Sequence, residues 1–227
     1  MRIGILALLW AGLATAAPHH SQPEKVILAP GYAELTFTPP VVGSYSLPVL
    51  GDAADGEVVN EASESVRLHQ LLGDKFVLFS FIYTNCSDVN GCPLASYVLS
   101  KVQDAVRGDD RLSDYVRLIS LSFDRSNDTP EVLARYAGNF RKEDFDWQFL
   151  TTSSDTRLNS ILRDYDQFII EDVNESGKKV GSISHILRVY LIDQHRRIRN
   201  IYSVSFLHPD IIINDILTIV KASGRQK

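Results

Sequence analysis

The strongest constraint on the fold is the run Phe76 to Tyr83, FVLFSFIY, which is apolar or aromatic at nearly every position. A strand with one wet face alternates polar and apolar residues, whereas a run like this belongs to a strand covered on both faces. It predicts a central strand in an α/β domain, with a mixed sheet flanked by helices. Pro93 suits the first position of a following helix, and Leu94, Val98, Val102 and Val106 then recur on one face at four-residue spacing. Val116 to Phe123 predicts the next buried strand, and Asp128, Thr129, Pro130 and Glu131 a helix start with Asp128 as the cap of a D-x-x-E box.

The same reading extends in both directions. Trp147 to Leu150 predicts a strand, Thr156 to Tyr165 a short helix and Pro209 to Ala222 a final helix. Phe168 to Val173 and Lys179 to Ile183 flank NESG and predict a hairpin insertion, while Leu187 to Asp193 and Ile198 to Val204 flank QHRRIR and predict a second. Upstream, Gly43 to Leu50 and Gly56 to Asn60 predict an N-terminal β-hairpin joined by the turn formers GDAADG. Val66 to Leu72 follows as a brief helical or turn segment.

The only two cysteines, Cys86 and Cys92, fall between the central strand and its helix, with five residues between them. A turn there points side chains at a helix N-terminus, whose free N–H groups favour negative charge and lower a thiol's pKa. The resulting thiolate attacks disulfides and binds soft metals. A chain of 227 residues with 44% hydrophobic content can bury a core without a staple. Closing so short a loop would stabilise the fold by only about 2.4 kcal/mol. Redox or metal chemistry is therefore expected ahead of a purely structural bridge.

Charge and the N-terminus narrow the setting. A formal net charge of -5 leaves no electrostatic footprint for nucleic acid. Arg2, the apolar stretch Ile3 to Leu13 and the A-x-A pattern Ala14-Thr15-Ala16 have the layout of a secretory signal, so residues 1–16 are expected to be a cleaved signal peptide. The apolar stretch is short for a bilayer span, and an uncleaved membrane anchor is the alternative. Residues 17–42, with Pro23, Pro30, Pro39 and Pro40, are read as a Pro-rich tether leading into a domain over 43–227. The product would be periplasmic or otherwise extracytoplasmic. His19 and His20 near the expected new N-terminus do not make an amino-terminal copper or nickel site, because Pro18 has no amide proton to lose.

Three blocks, in order, resemble the Sco/SenC family of copper chaperones. FSFIYTNCSDVNGCP is similar to the family's Y-T-x-C-x-x-x-C-P segment, SFDRSNDTPEVLARYA to its S-x-D-P-x-x-D-T-P-x-x-L block, and SHILRVYLID to its S-H-x-x-x-x-Y-L-I-D block. The resemblance implies a thioredoxin-like fold and copper, as Cu(I) or Cu(II), held by Cys86, Cys92 and His185. It implies a metallochaperone rather than an enzyme, assisting assembly of the dinuclear copper site of cytochrome c oxidase, with subunit II as the cuproprotein client and a thiol reductant protein as a further partner. Asp124 is expected near the metal, with a role in partner recognition or as a turn residue.

The donor chemistry agrees with that set, since soft Cu(I) accepts two thiolates and an imidazole while structural zinc normally takes four protein ligands. His69, His195 and His208 are read as surface or partly packed residues. The alternative is a thiol-disulfide oxidoreductase or redox sensor using the Cys86/Cys92 pair, with one thiol attacking and the other resolving. Thioredoxin-like redox proteins usually place a cis-proline at the strand entrance where this chain has Ser184 and His185, which favours metal. A peroxiredoxin would place its threonine three residues before the cysteine, and Thr84 stands two before Cys86. The chain departs from the family at two places: Asn90 and Gly91 lengthen the cysteine loop, where an Asn-Gly turn can fold back to bring both sulfurs together, and Arg125 replaces a proline.

Overall fold

The computed structural model describes residues 29–176 and 179–223. The expected signal peptide, His19, His20 and the tether as far as residue 28 lie outside the described residues.

Two short strands, β1 (Gly51–Asp52) and β2 (Glu57–Val59), precede β3 (Ser65–Arg67) and a single helical turn, α1 (Leu68–Leu71). The central strand β4 (Phe76–Ile82) leads through the cysteine loop into α2 (Cys92–Arg107). Next come β5 (Val116–Ser122), α3 (Pro130–Ala137), β6 (Trp147–Leu150) and α4 (Asp155–Asp164). An antiparallel ribbon, β7 (Ile169–Val173) with β8 (Lys179–His185), is followed by β9 (Val189–Ile192), β10 (Arg197–Tyr202) and α5 (Pro209–Ala222).

The main sheet has the order β1-β10-β9-β4-β5-β6, with β4, β5 and β6 parallel and β9, β10 and β1 antiparallel to their neighbours. All seven residues of β4 are buried, as its unbroken apolar run requires of a strand with both faces covered. Its one polar residue is satisfied internally: Ser80 Oγ lies 3.0 Å from Ser120 Oγ, and Trp147 Nε1 donates to Ser120 Oγ at 3.1 Å. Phe79 and Phe81 share one face of β4 and pack with Tyr165 and Tyr190, the ring centroids of Phe79 and Tyr165 being 4.8 Å apart. Helices α2 and α5 pack together, and α3 covers β6.

The N-terminal hairpin differs from the expectation. Gly43 to Leu50 forms no strand, and Gly51–Asp52, inside the expected GDAADG turn, pairs with β10 instead. The hairpin that does form joins β2 to β3, with Val58 opposite Val66. Its turn is built by Asn60, whose Oδ1 accepts from the backbone N–H of Ala62 at 3.0 Å and of Glu64 at 2.9 Å, with Ser63 at φ 64°. Asp55, in the expected turn, is occupied elsewhere: it accepts from Gly56 N and His69 N and pairs with Arg67. Asp128 is not the cap of α3 either. Pro130 takes the first helical position, which makes Thr129 the N-cap, with its side chain accepting from Val132 N.

Candidate metal and thiol centre

The loop between β4 and α2 is built in two turns. After Ile82, Thr84 and Asn85 turn the chain away from the sheet and present Cys86, which is half-buried. A second turn runs from Asp88 to Gly91: Asp88 Oδ1 accepts from Asn90 N at 3.0 Å, and Asp88 O accepts from Gly91 N at 2.9 Å. Gly91 is then the N-cap of α2, and Cys92 and Pro93 open the helix. The two additional loop residues thus complete a turn and start the helix. On the loop's outer side the backbone of Gly31 sits so close that a Cβ there would lie 2.5 Å from both Val89 O and Asn90 Oδ1, an approach open only to glycine. The neighbouring Tyr32 anchors this segment, its hydroxyl 2.9 Å from His208 Nε2 and its ring against Tyr97.

The two thiols have opposite electrostatics. The Cys92 thiol donates to Cys86, and with the backbone N–H groups of Cys92 and Asp88 and the Tyr83 hydroxyl it holds the Cys86 pKa down to about 5, against the effect of partial burial. Cys92 is buried, and burial, together with the thiolate it would face, pushes its own pKa well above the ordinary thiol value. Its sulfur also receives the backbone N–H of Tyr83 at 3.4 Å. Burial and the hydrogen bond to Cys86 raise the Tyr83 hydroxyl to about 12. One thiol is thus an accessible, easily ionised nucleophile and the other a shielded proton holder.

His185, the last residue of β8, brings its Nε2 to 3.8 Å from Cys92 Sγ. Its ring is wedged against Phe123, with centroids 4.8 Å apart, and lies edge-on to Tyr83. Cys92 and His185 are therefore within the span of one bound ion, while Cys86 approaches Cys92 from the loop. Among the described residues no three His, Cys, Asp or Glu side chains already form a metal-holding group.

The other described histidines lie away from the cysteines. His69 Nε2 meets Ala53 O at 2.9 Å, the backbone N–H of His195 donates to Asp193 in the β9–β10 turn, and His208 caps α5 by accepting from Asp210 N. Asp124 is buried in the β5–α3 turn, where its carboxylate accepts from Asn127 Nδ2 at 2.8 Å and its backbone carbonyl from Asn127 N and Asp128 N. Arg125, the residue in place of proline, reaches the N-terminus of α4 and pairs with Asp155 at 2.6 Å. Two contributors are not apparent from sequence, the Tyr83 hydroxyl and Asp128, the latter buried beneath Thr84 with its carboxyl pKa raised by burial. For Asp128 a signal was present: proline at the first helical position assigns the cap to the residue immediately before it.

A dithiol between a buried strand and its helix, faced by an imidazole from a hairpin insertion, on a mixed sheet flanked by helices, defines a thioredoxin-like dithiol protein. The SCO1/SenC family model matches residues 54–221, and the chain belongs to the SCO1/SenC family. It is 26% identical over 159 residues to the SCO1 protein homolog of Bacillus subtilis (strain 168), covering 69% of this chain and 77% of that protein. The fold is similar to that of Arabidopsis thaliana ScoI with copper bound, at TM-score 0.63 and 18% identity, covering 75% of this chain and 98% of the other. It is also similar to BsSco, described as a member of the Sco family of cytochrome c oxidase assembly proteins with a disulfide switch, at TM-score 0.60 and 24% identity over 80% of this chain and 98% of that one.

Proposed function

We propose that this protein is an exported metallochaperone that carries copper on Cys86, Cys92 and His185 and hands it to a cuproprotein by ligand exchange. The observation that carries the reading is the 3.8 Å approach of His185 Nε2 to Cys92 Sγ, which joins a soft thiol and an imidazole drawn from separate parts of the fold. Copper is the cargo. Before loading, the Cys86 thiolate is the most accessible donor, and Cys92 releases its proton as it takes up the ion. His185 completes the set and can leave first, because its ribbon is not part of the main sheet.

The client on this reading is the dinuclear copper site of cytochrome c oxidase, on subunit II, in keeping with the described role of BsSco. Asp124, at the β5 exit beside the cysteine loop, contributes to partner recognition. Residues 1–16 direct export and are removed, residues 17–42 lead as a tether into the domain over 43–227 and are fastened to it from Tyr32 onward, and the protein works outside the cytoplasm. Among the described residues no helix is long and apolar enough to cross a membrane. X-ray absorption on reduced, copper-loaded protein tests the ligand set: two sulfurs and one nitrogen are expected, and a first shell without sulfur rejects it.

A second reading is favoured by the split between the thiols. A Cys86 pKa of about 5 beside a shielded Cys92 is the arrangement of an attacking and a resolving thiol. In that case Cys86 exchanges disulfides with a thiol reductant or substrate protein. Copper stoichiometry separates the two readings, since an oxidoreductase need not retain one equivalent of Cu(I).

A further inference from the structure

Asp128 is fully buried, and both of its carboxylate oxygens are engaged. Thr84 Oγ1 donates to Oδ1 at 2.5 Å, while Oδ2 accepts from the Thr84 backbone N–H at 3.0 Å and from Ser122 Oγ at 2.5 Å. Thr84 lies two residues before Cys86, in the turn by which the chain leaves β4. Ser122 is the last residue of β5, paired with Ile82 at the end of the parallel ladder. The backbone of Asp128 is itself held, its N–H donating to Asp124 O at 2.8 Å, and Thr129 behind it caps α3. One side chain therefore bonds the first turn of the cysteine loop, through both its backbone and its side chain, to the adjacent strand and the turn leading into a helix. A buried carboxylate with three hydrogen bonds is costly to leave unpaired, so this connection resists opening.

We propose that Asp128 is a positioning residue: it clamps Thr84 so that Cys86 stays within reach of Cys92, and so sets the effective concentration of one sulfur toward the other. The clamp needs no copper to be detected, although its use in metal loading rests on the reading given above. The residue acts through Thr84 and touches neither sulfur.

The test is the equilibrium of the dithiol with glutathione in the full mature protein. Oxidised glutathione accepts two electrons from Cys86 and Cys92, an intramolecular disulfide forms, and two molecules of reduced glutathione are released, so the constant measures how well the thiols are held together. Asp128→Asn is expected to lower the constant about tenfold, in the range of losses seen when supporting residues of a site are removed. Thr84→Val, which keeps the backbone bond and loses the hydroxyl one, should lower it about threefold. Hydrogen exchange at the loop amides should quicken in both variants. Asp215, another buried carboxylate, bonded to Tyr202 Oη and Asn200 Nδ2 at 2.8 Å each, supplies the control: Asp215→Asn should lower stability without changing the constant. An unchanged or raised constant in Asp128→Asn overturns the proposal, and if that variant fails to fold, an unchanged constant in Thr84→Val does so. If the parent binds no copper but the constant falls as expected, the copper reading fails and the clamp stands. If the parent binds copper but the constant is unchanged in the variants, the clamp fails and the copper reading stands.

Discussion

Cys92 and His185 meet across 3.8 Å, yet they hang on regions held in different ways. Cys92 starts a helix that follows β4, a strand buried at every position and paired on both sides with β5 and β9. His185 ends a ribbon that pairs only with itself, with a register irregularity between Glu171 and Val173. Phe168, Ile170 and Ile186 on that ribbon and just beyond it are exposed to 66%, 68% and 59%. The ribbon is joined to the core by packing, through Ile169, Ile183 and the His185 ring on Phe123, and not by a strand ladder, so on the copper reading the first attachment stays constant while the last is the easier to move. On the proposed function, that asymmetry suits handover better than permanent storage.

The largest expected effect contrasts the two regions directly. Phe79→Ala, in the aromatic cluster of β4, should cost about 3–5 kcal/mol in urea unfolding, while Ile170→Ser on the ribbon should change stability by no more than about 0.5 kcal/mol. Comparable losses at the two sites would mean that the ribbon is part of the folding core and would remove the basis for treating His185 as the mobile donor.

Cys92→Ser should reduce Cu(I) affinity by more than about a hundredfold, beyond the usual loss for a supporting residue, with the fold retained. His185→Ala should cost about tenfold and leave stability nearly unchanged. Competition with a chromophoric Cu(I) chelator measures both. A His185 effect equal to that of Cys92 would show that the two halves of the site carry the ion equally.

The thiols offer a finer discrimination within the fixed half. In reduced, copper-free protein, iodoacetamide should modify Cys86 with a midpoint near pH 5 and spare Cys92, as mass mapping would report. Because the Cys86 pKa in the folded protein lies below its ordinary value of 9.0, the hydrogen bonds to its thiolate stabilise the fold above that value, and the contribution is lost as pH falls through about 5. The stability difference between parent and Cys86→Ser should shrink accordingly from alkaline to acid pH. A difference independent of pH would show that the charge does not reside on Cys86.

The smallest effect concerns the longer loop. Deleting Asn90 and Gly91 restores the family spacing but removes the N-cap of α2, so a shorter closure is offset by a lost helix start. Cu(I) affinity should change by less than about threefold, and helix loss should stay within about 1 kcal/mol. A larger fall in affinity would show that the two residues shape the ion site itself.

The fixed half was the more legible in the sequence. Unbroken apolar runs can be buried only in a covered sheet, so β4 and β5 and the helix after Pro93 were readable from residue type alone. The cysteine pair announced itself by its place between them. The N-terminal hairpin was misplaced because GDAADG and the segment after Asn60 both carry turn formers, and only tertiary contacts decided that Asp55 would serve His69 and Arg67 while Asn60 made the turn. The pairing of His185 with Cys92 came from the family blocks alone, since no local pattern brings the end of a separate ribbon to the start of a helix so distant in sequence.

The parallel pairing of β4 and β5 runs without a slip from Phe76 opposite Val116 to Ile82 opposite Ser122. The two chain exits therefore leave the sheet side by side and at the same height, like adjacent pegs on a jig. Whatever is strung on one peg, a loop of five or of three residues between sulfurs, its starting point relative to the other does not change. Loop length in such a fold becomes an adjustable part, free to change without recutting the frame that holds it.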